Sequence, residues 1–179
     1  MKGNSILFSS YSGRYIGDSP EGCSSSLHGE SQPYQDEYSV YSKMVKRDIK
    51  HGVYKLGFGY SQNPTSQNLS TLVNGNYIGN KLLNKEVPYV ITSKGEVIIG
   101  DRNGNGRIGL PTPHPTFIGG IDPKVRMAGI LKIRGGKIYS YDDRSGHYQP
   151  NIKSMKWADE AFAKYPKSKQ FKNGEYHGK

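Results

Sequence analysis

Two short segments hold side chains able to do acid–base work: Pro113-His114-Pro115-Thr116-Phe117-Ile118-Gly119-Gly120 and Ser145-Gly146-His147-Tyr148-Gln149-Pro150. Each sets a histidine beside hydroxyl residues at an edge between loop and strand. Imidazole titrates near neutral pH, so a His114/His147 pair has the equipment of a base and an acid. On RNA that chemistry is attack by a 2′-hydroxyl, with Lys or Arg stabilising the phosphorane. It needs neither metal nor cofactor. The plainer alternative is a pair of histidines whose ring nitrogens bond backbone carbonyls and pin two turns.

Other chemical spellings fail on their surroundings. Asp101-Arg102-Asn103-Gly104-Asn105-Gly106 matches the opening of a calcium loop, but the twelfth position is Thr112 where a bidentate Glu is needed. Gly104-Asn105-Gly106-Arg107-Ile108-Gly109 spells G-x-G-x-x-G, yet Pro111, Pro113 and Pro115 follow, so no helix can open to hold a phosphate. One cysteine, Cys23, excludes a disulfide framework and a thiolate zinc cluster. Ser24-Ser25-Ser26 beside it offers no base, so the thiol is read as incidental. No metal is expected.

The elements that must position these segments are mostly strands. Ile6, Leu7, Phe8, Tyr11, Tyr15 and Ile16 suggest one or two short strands within residues 4–17, followed by a polar loop over 18–31. Ser31-Gln32-Pro33-Tyr34 reads as a helix start, with Pro33, Asp36 and Glu37 suited to a first turn. Tyr38, Tyr41, Val45 and Ile49 fall near one face, and Gly52 is a fitting stop. Residues 53–60 alternate as a strand with close backbone approach at Gly57 and Gly59, and 61–70 read as a loop. Tyr89–Thr92 and Glu96–Ile99 form a hairpin around Ser93-Lys94-Gly95, and Met127–Ile133 and Lys137–Tyr141 form another around Arg134-Gly135-Gly136. Ile152, Met155, Ala158 and Phe162 recur at helical spacing up to Pro166. The expected fold class is α+β: a compact, mainly antiparallel sheet with two or three helices. Residues 1–165 read as one domain and 166–179 as a basic, flexible tail.

Composition narrows the class. The 179 residues carry 25 Lys+Arg against 15 Asp+Glu, a net charge of +10, and 34% are hydrophobic, so the core is lean. Fourteen Tyr against five Phe and one Trp supply much of its bulk. No apolar run approaches the roughly 18 residues of a membrane span. The N-terminus offers only Ile6-Leu7-Phe8 as a continuous apolar stretch, too short for a classical signal peptide. No membrane insertion is expected.

The text from Pro88 to Phe162, carried by Pro88-Tyr89-Val90-Ile91-Thr92-Ser93, His114 to Gly120, Ala128-Gly129, Gly136-Lys137-Ile138 and Ser145 to Pro150, resembles a module of the C-terminal toxin domains of bacterial Rhs- and Tc-type polymorphic toxins. It is also similar to part of the plant IQ-motif calmodulin-binding proteins, where His-Ser-Ser-Phe precedes Ser-Gly-His-Tyr-Arg-Pro. The chain departs from both in Pro115-Thr116 where Ser-Ser is usual, and in Gln149 for the last Arg. The resemblance implies a secreted or delivered effector acting in a target-cell cytoplasm, monomeric and paired with an acidic immunity protein.

By analogy with mono-ADP-ribosyltransferase toxins it further implies an ADP-ribosyltransferase-like fold with NAD as substrate. Arg14 and Tyr15 on the first strand, with Thr116 and Phe117, would then hold the cofactor. His114, Asp143, Ser145, His147 and Tyr148 would form the catalytic set. The late Glu of that family is absent: Tyr141–Tyr148 offers Asp142 and Asp143 instead. Lys43, Lys46, Arg47 and Lys50 on the first helix suit an anionic macromolecular target, RNA or protein, and Lys164, Lys167, Lys169 and Lys172 crowd the tail. Three functions follow: ADP-ribose transfer from NAD, metal-independent RNA cleavage by His114 and His147, or binding without catalysis.

Overall fold

Side chains on a strand alternate between its two faces, so a sheet apolar on both sides needs cover on both. Tyr89 and Ile91 point into one layer while Val90 between them joins another, and Met127 and Ala128 divide in the same way. A computed structural model of the protein describes residues 31–104 and 109–172. Its regular elements are α1 (Ser42–Lys50), β1 (Tyr54–Lys55), β2 (Gly59–Tyr60), β3 (Gln67–Asn68), β4 (Val73–Asn74), β5 (Tyr77–Ile78), β6 (Lys85–Ile91), β7 (Val97–Ile99), β8 (Met127–Arg134), β9 (Lys137–Tyr141) and α2 (Met155–Phe162). The fold is α+β. A five-stranded antiparallel sheet runs β3-β7-β6-β8-β9, and β1-β2 and β4-β5 form two small hairpins.

Both main hairpins stand where the β-prone runs place them. On one face of the sheet α2 buries Met155, Ala158, Ala161 and Phe162 against Tyr89, Ile91, Leu131 and Tyr141, with Phe162 stacked on Tyr141 at 4.4 Å between ring centres. On the other face Val90 and Ala128 are covered by Tyr38, Phe117, Val125 and Tyr148. This second cover is a layer of turns, and both histidine segments belong to it.

Three expectations are corrected. The first helix does not start near Pro33; it spans only Ser42–Lys50. Tyr38 instead exchanges both backbone bonds with Val125, and the Gln32 amide holds the carbonyls of Ser39 and Tyr148. Those tertiary bonds leave residues 31–41 extended. Gly52 does end the helix, at φ 76°. Residues 61–70 are not all loop, because Gln67 and Asn68 pair with Ile99 and Ile98 at the sheet edge. The start of the tail is docked: Ile138 bonds Pro166 and Ser168, Lys172 N–H reaches the Tyr139 carbonyl, and Phe171 packs on Tyr141. The strands expected within residues 4–17, together with Arg14, Tyr15 and Cys23, lie outside the described residues.

Candidate functional site

His114 opens a single 3-10 turn, His114–Phe117, set by the flanking prolines. Thr116 closes the turn on itself, its Oγ1 donating to the Pro113 carbonyl at 2.7 Å. The His114 ring thereby reaches β8, where Nε2 lies 2.9 Å from the Gly129 carbonyl oxygen. A carbonyl only accepts, so Nε2 carries the proton and Nδ1 presents its lone pair. That lone pair faces Ser145 Oγ at 3.3 Å, and the same oxygen accepts the Tyr148 N–H. Burial holds the His114 pKa well below the usual imidazole range, with the Arg102 charge adding to it.

Gly129 makes this possible. A Cβ there would overlap the backbone carbonyl of Asp142, so only glycine lets the chain after β9 press against β8. Asp142 then accepts from Ile130 N–H at 2.8 Å and from Arg144 Nε at 2.6 Å, and its carbonyl accepts the Tyr89 hydroxyl. The Ser145–Pro150 turn that follows is tied down by Gln149 N–H to the Ser145 carbonyl, Tyr41 N–H to the His147 carbonyl, and Tyr148 OH to the Pro123 carbonyl at 2.5 Å, while Gln149 Oε1 is buried without a donor among the described residues.

His147 points to a second network. Its Nε2 lies 3.2 Å from Asp48 Oδ2, and both side chains are fully buried. The Tyr60 hydroxyl donates to the same carboxylate in a short bond, and burial together with that carboxylate pushes the Tyr60 phenol well above its ordinary range. Asp48 follows the buried Met44 by four residues, on the inward face of α1. Sequence reasoning did not single out Asp48 or Tyr60, although a carboxylate in line with Met44 is the signal that a buried partner exists.

The structure therefore brings His114, Ser145, His147 and Tyr148 together, but inside the protein. Ser145, His114 and the Gly129 carbonyl have the hydrogen-bond order of a nucleophile, its base and an orienting group. Ser145 is 1% exposed and His114 0%, so no substrate atom reaches either. The four residues expected to be catalytic, His114, Ser145, His147 and Tyr148, are thus all buried. Thr116 and Phe117, expected to hold the cofactor, are nearly fully buried as well. Asp143 is half-buried and keeps solvent access. Among the described residues no three His, Cys, Asp or Glu side chains converge as a metal site would require.

The basic candidates face outward. Lys43, Lys46 and Lys50 are exposed on α1 and Arg47 is half-buried. Val53 N–H bonds the Asp48 carbonyl and carries the chain straight into the β1-β2 hairpin. At its tip Leu56 and Phe58 are 74% and 81% exposed. The Gly59 backbone packs too closely on Gly120 to admit a side chain, which fixes the hairpin to the body.

No family model matches the chain, and no curated protein or solved structure similar to it is found. Its site is read from its own geometry.

Proposed function

We propose that this chain is an effector-type domain that binds single-stranded RNA without cleaving or modifying it through its histidines. The observation that carries this is the pairing of a lysine-lined helix with the adjoining hairpin, whose Phe58 ring stands in solvent. Cations that track phosphates beside an accessible aromatic ring are the usual means of holding unpaired bases. ADP-ribose transfer and RNA cleavage both route chemistry through His114 or His147, which are sealed and bonded to protein groups. Binding requires neither. The two histidines then serve as clasps that hold the layer of turns on the sheet.

The test is fluorescence anisotropy with a labelled single-stranded RNA across a salt series. The triple variant Lys43→Gln, Lys46→Gln, Lys50→Gln should lower the log–log salt slope by about 2, at roughly 0.7 per phosphate contact. Phe58→Ala should weaken binding about tenfold or more whatever the RNA sequence, as loss of one stacked base does. Incubation with NAD should release no nicotinamide, and the RNA should stay intact in chelator. Salt-independent binding, an unchanged slope in the triple variant, NAD turnover or RNA cleavage would each overturn the reading.

A further inference from the structure

A cleft of about 350 Å³ lies between the β6-β7 turn, the start of β8 and the outer side of α2. Its polar lining is Ser93, Lys94, Arg126, Trp157, Glu160 and Lys164. Arg126 is held at its base, where its backbone N–H donates to the Ile91 carbonyl. Its guanidinium lies 4.4 Å from the centre of the Trp157 ring. Lys156 Nζ stands 4.8 Å from that ring and 4.9 Å from Tyr34, so the aromatic faces are already occupied by cations.

What sets this cleft apart is an excess of cations beside an opening, with Lys94 and Lys164 exposed at its rim. Among the described residues, Arg126 Nε and Trp157 Nε1 are covered and without an acceptor. No described carboxylate pairs with the guanidinium. A covered donor lacking an acceptor costs about 1–3 kcal/mol. Nothing of the sort holds for His114 or Ser145, which are satisfied within the chain.

We infer that this cleft is a binding site for a phosphomonoester. Lys94, Arg126 and Lys164 place three cations against the single carboxylate of Glu160. The surplus of two matches a dianionic phosphate monoester better than a single carboxylate. Guanidinium forks and lysine point charges are the groups that hold phosphoryl oxygens, and Ser93 adds a hydroxyl donor. The volume is at the low end for small-molecule sites and takes a phosphoryl group with the group that bears it. Because Trp157 is flanked by cations, the organic part is not stacked on the indole and extends out of the cleft. The phosphoryl group can belong to a free mononucleotide or to a phosphorylated RNA end. This site is separate from the helix and hairpin proposed to bind RNA and stands or falls by itself.

Trp157 is the only tryptophan, so its emission reports on the cleft directly. The full chain is titrated at constant ionic strength with adenosine 5′-monophosphate, with adenosine, and with a short RNA bearing either a 5′-phosphate or a 5′-hydroxyl. Saturable change is expected with the mononucleotide and not with adenosine. A response to the 5′-phosphorylated RNA and not to its 5′-hydroxyl twin assigns the site to RNA ends; a response to the mononucleotide alone assigns it to small ligands. Lys94→Gln and Lys164→Gln, both at exposed positions, should each weaken binding about tenfold, as loss of one charge-assisted bond does. Glu160→Gln should tighten it, a change of sign that a merely structural role would not produce. No saturable response to any phosphorylated probe, or equal affinity in both lysine variants and wild type, overturns the site.

Discussion

The histidine turns and the Arg126–Trp157 cleft are built from equally reactive residue types, and they differ in whether solvent reaches them. His114 bonds β8 through one nitrogen and Ser145 through the other, and His147 is held by Asp48. Arg126 and Trp157 keep covered N–H groups that no described atom accepts. Buried, hydrogen-bonded polar networks rigidify and specify an architecture, whereas exposed cations beside an opening are free to meet an anion. Residue type alone nominates both regions. Access separates them: His114, Ser145 and His147 are sealed, while Lys94 and Lys164 of the cleft are exposed.

The hardest way to break the interior region is to fill the space at Gly129. Gly129→Ala would drive a Cβ into the Asp142 backbone, which no rotamer change relieves. It would also displace the carbonyl that orients His114. The expected loss exceeds about 4 kcal/mol, in the range reserved for backbone overlap in a core. Urea unfolding followed by far-UV circular dichroism measures it. A variant with a near-native midpoint would mean that β8 and the chain after β9 are not locked together, and the clasp role of His114 would go with it.

That dependence explains what the sequence does and does not disclose. The two hairpins are legible because β-branched runs flank glycine turns, and α2 is legible from the spacing of Met155, Ala158 and Phe162. The segment around Pro33 is misread because its helical spacing is real but local, and it loses to long-range bonds from Gln32 and Tyr38. The site residues are found in the sequence, since His114, Ser145 and His147 do converge. Their burial is not, because it follows from a glycine on one strand and the carbonyl of a residue thirteen positions away. Arg126 and Trp157 are invisible for a similar reason: only the fold sets them side by side without an acceptor.

A middle-sized effect comes from titrating the interior. The folded chain holds His114 neutral, its pKa depressed chiefly by burial. The unfolded chain releases it to about 6.5. Below that value the unfolded state binds the extra proton, so stability is complete above pH 6.5 and declines as pH falls toward the depressed folded pKa. The slope is about 1.4 kcal/mol per pH unit for one proton. Urea midpoints between pH 7.5 and 5 measure it against His114→Gln, which starts less stable but should decline more shallowly. Parallel curves would mean that His114 takes up a proton in the folded state, which its sealed position does not allow.

The smallest effects belong to the exposed face of α1, which contrasts with the sealed histidine turns as the cleft does. Lys46 and Lys50 are exposed on α1, with no ion-pair partner among the described residues. If their purpose is an external anion, the fold should hardly notice their loss. Lys46 stands mid-helix among like charges, so Lys46→Gln should leave stability within about 0.5 kcal/mol of wild type. Lys50 stands in the last turn, where a cation meets the negative end of the helix dipole; Lys50→Gln should cost about 0.3–1 kcal/mol at low salt. In 1 M salt, where screening acts within about 3 Å, that cost should vanish. Thermal unfolding at both ionic strengths resolves the two variants. A loss above 1 kcal/mol that survives high salt would place these lysines in the fold after all, and with it remove the ground for reading α1 as a surface kept for an external anion.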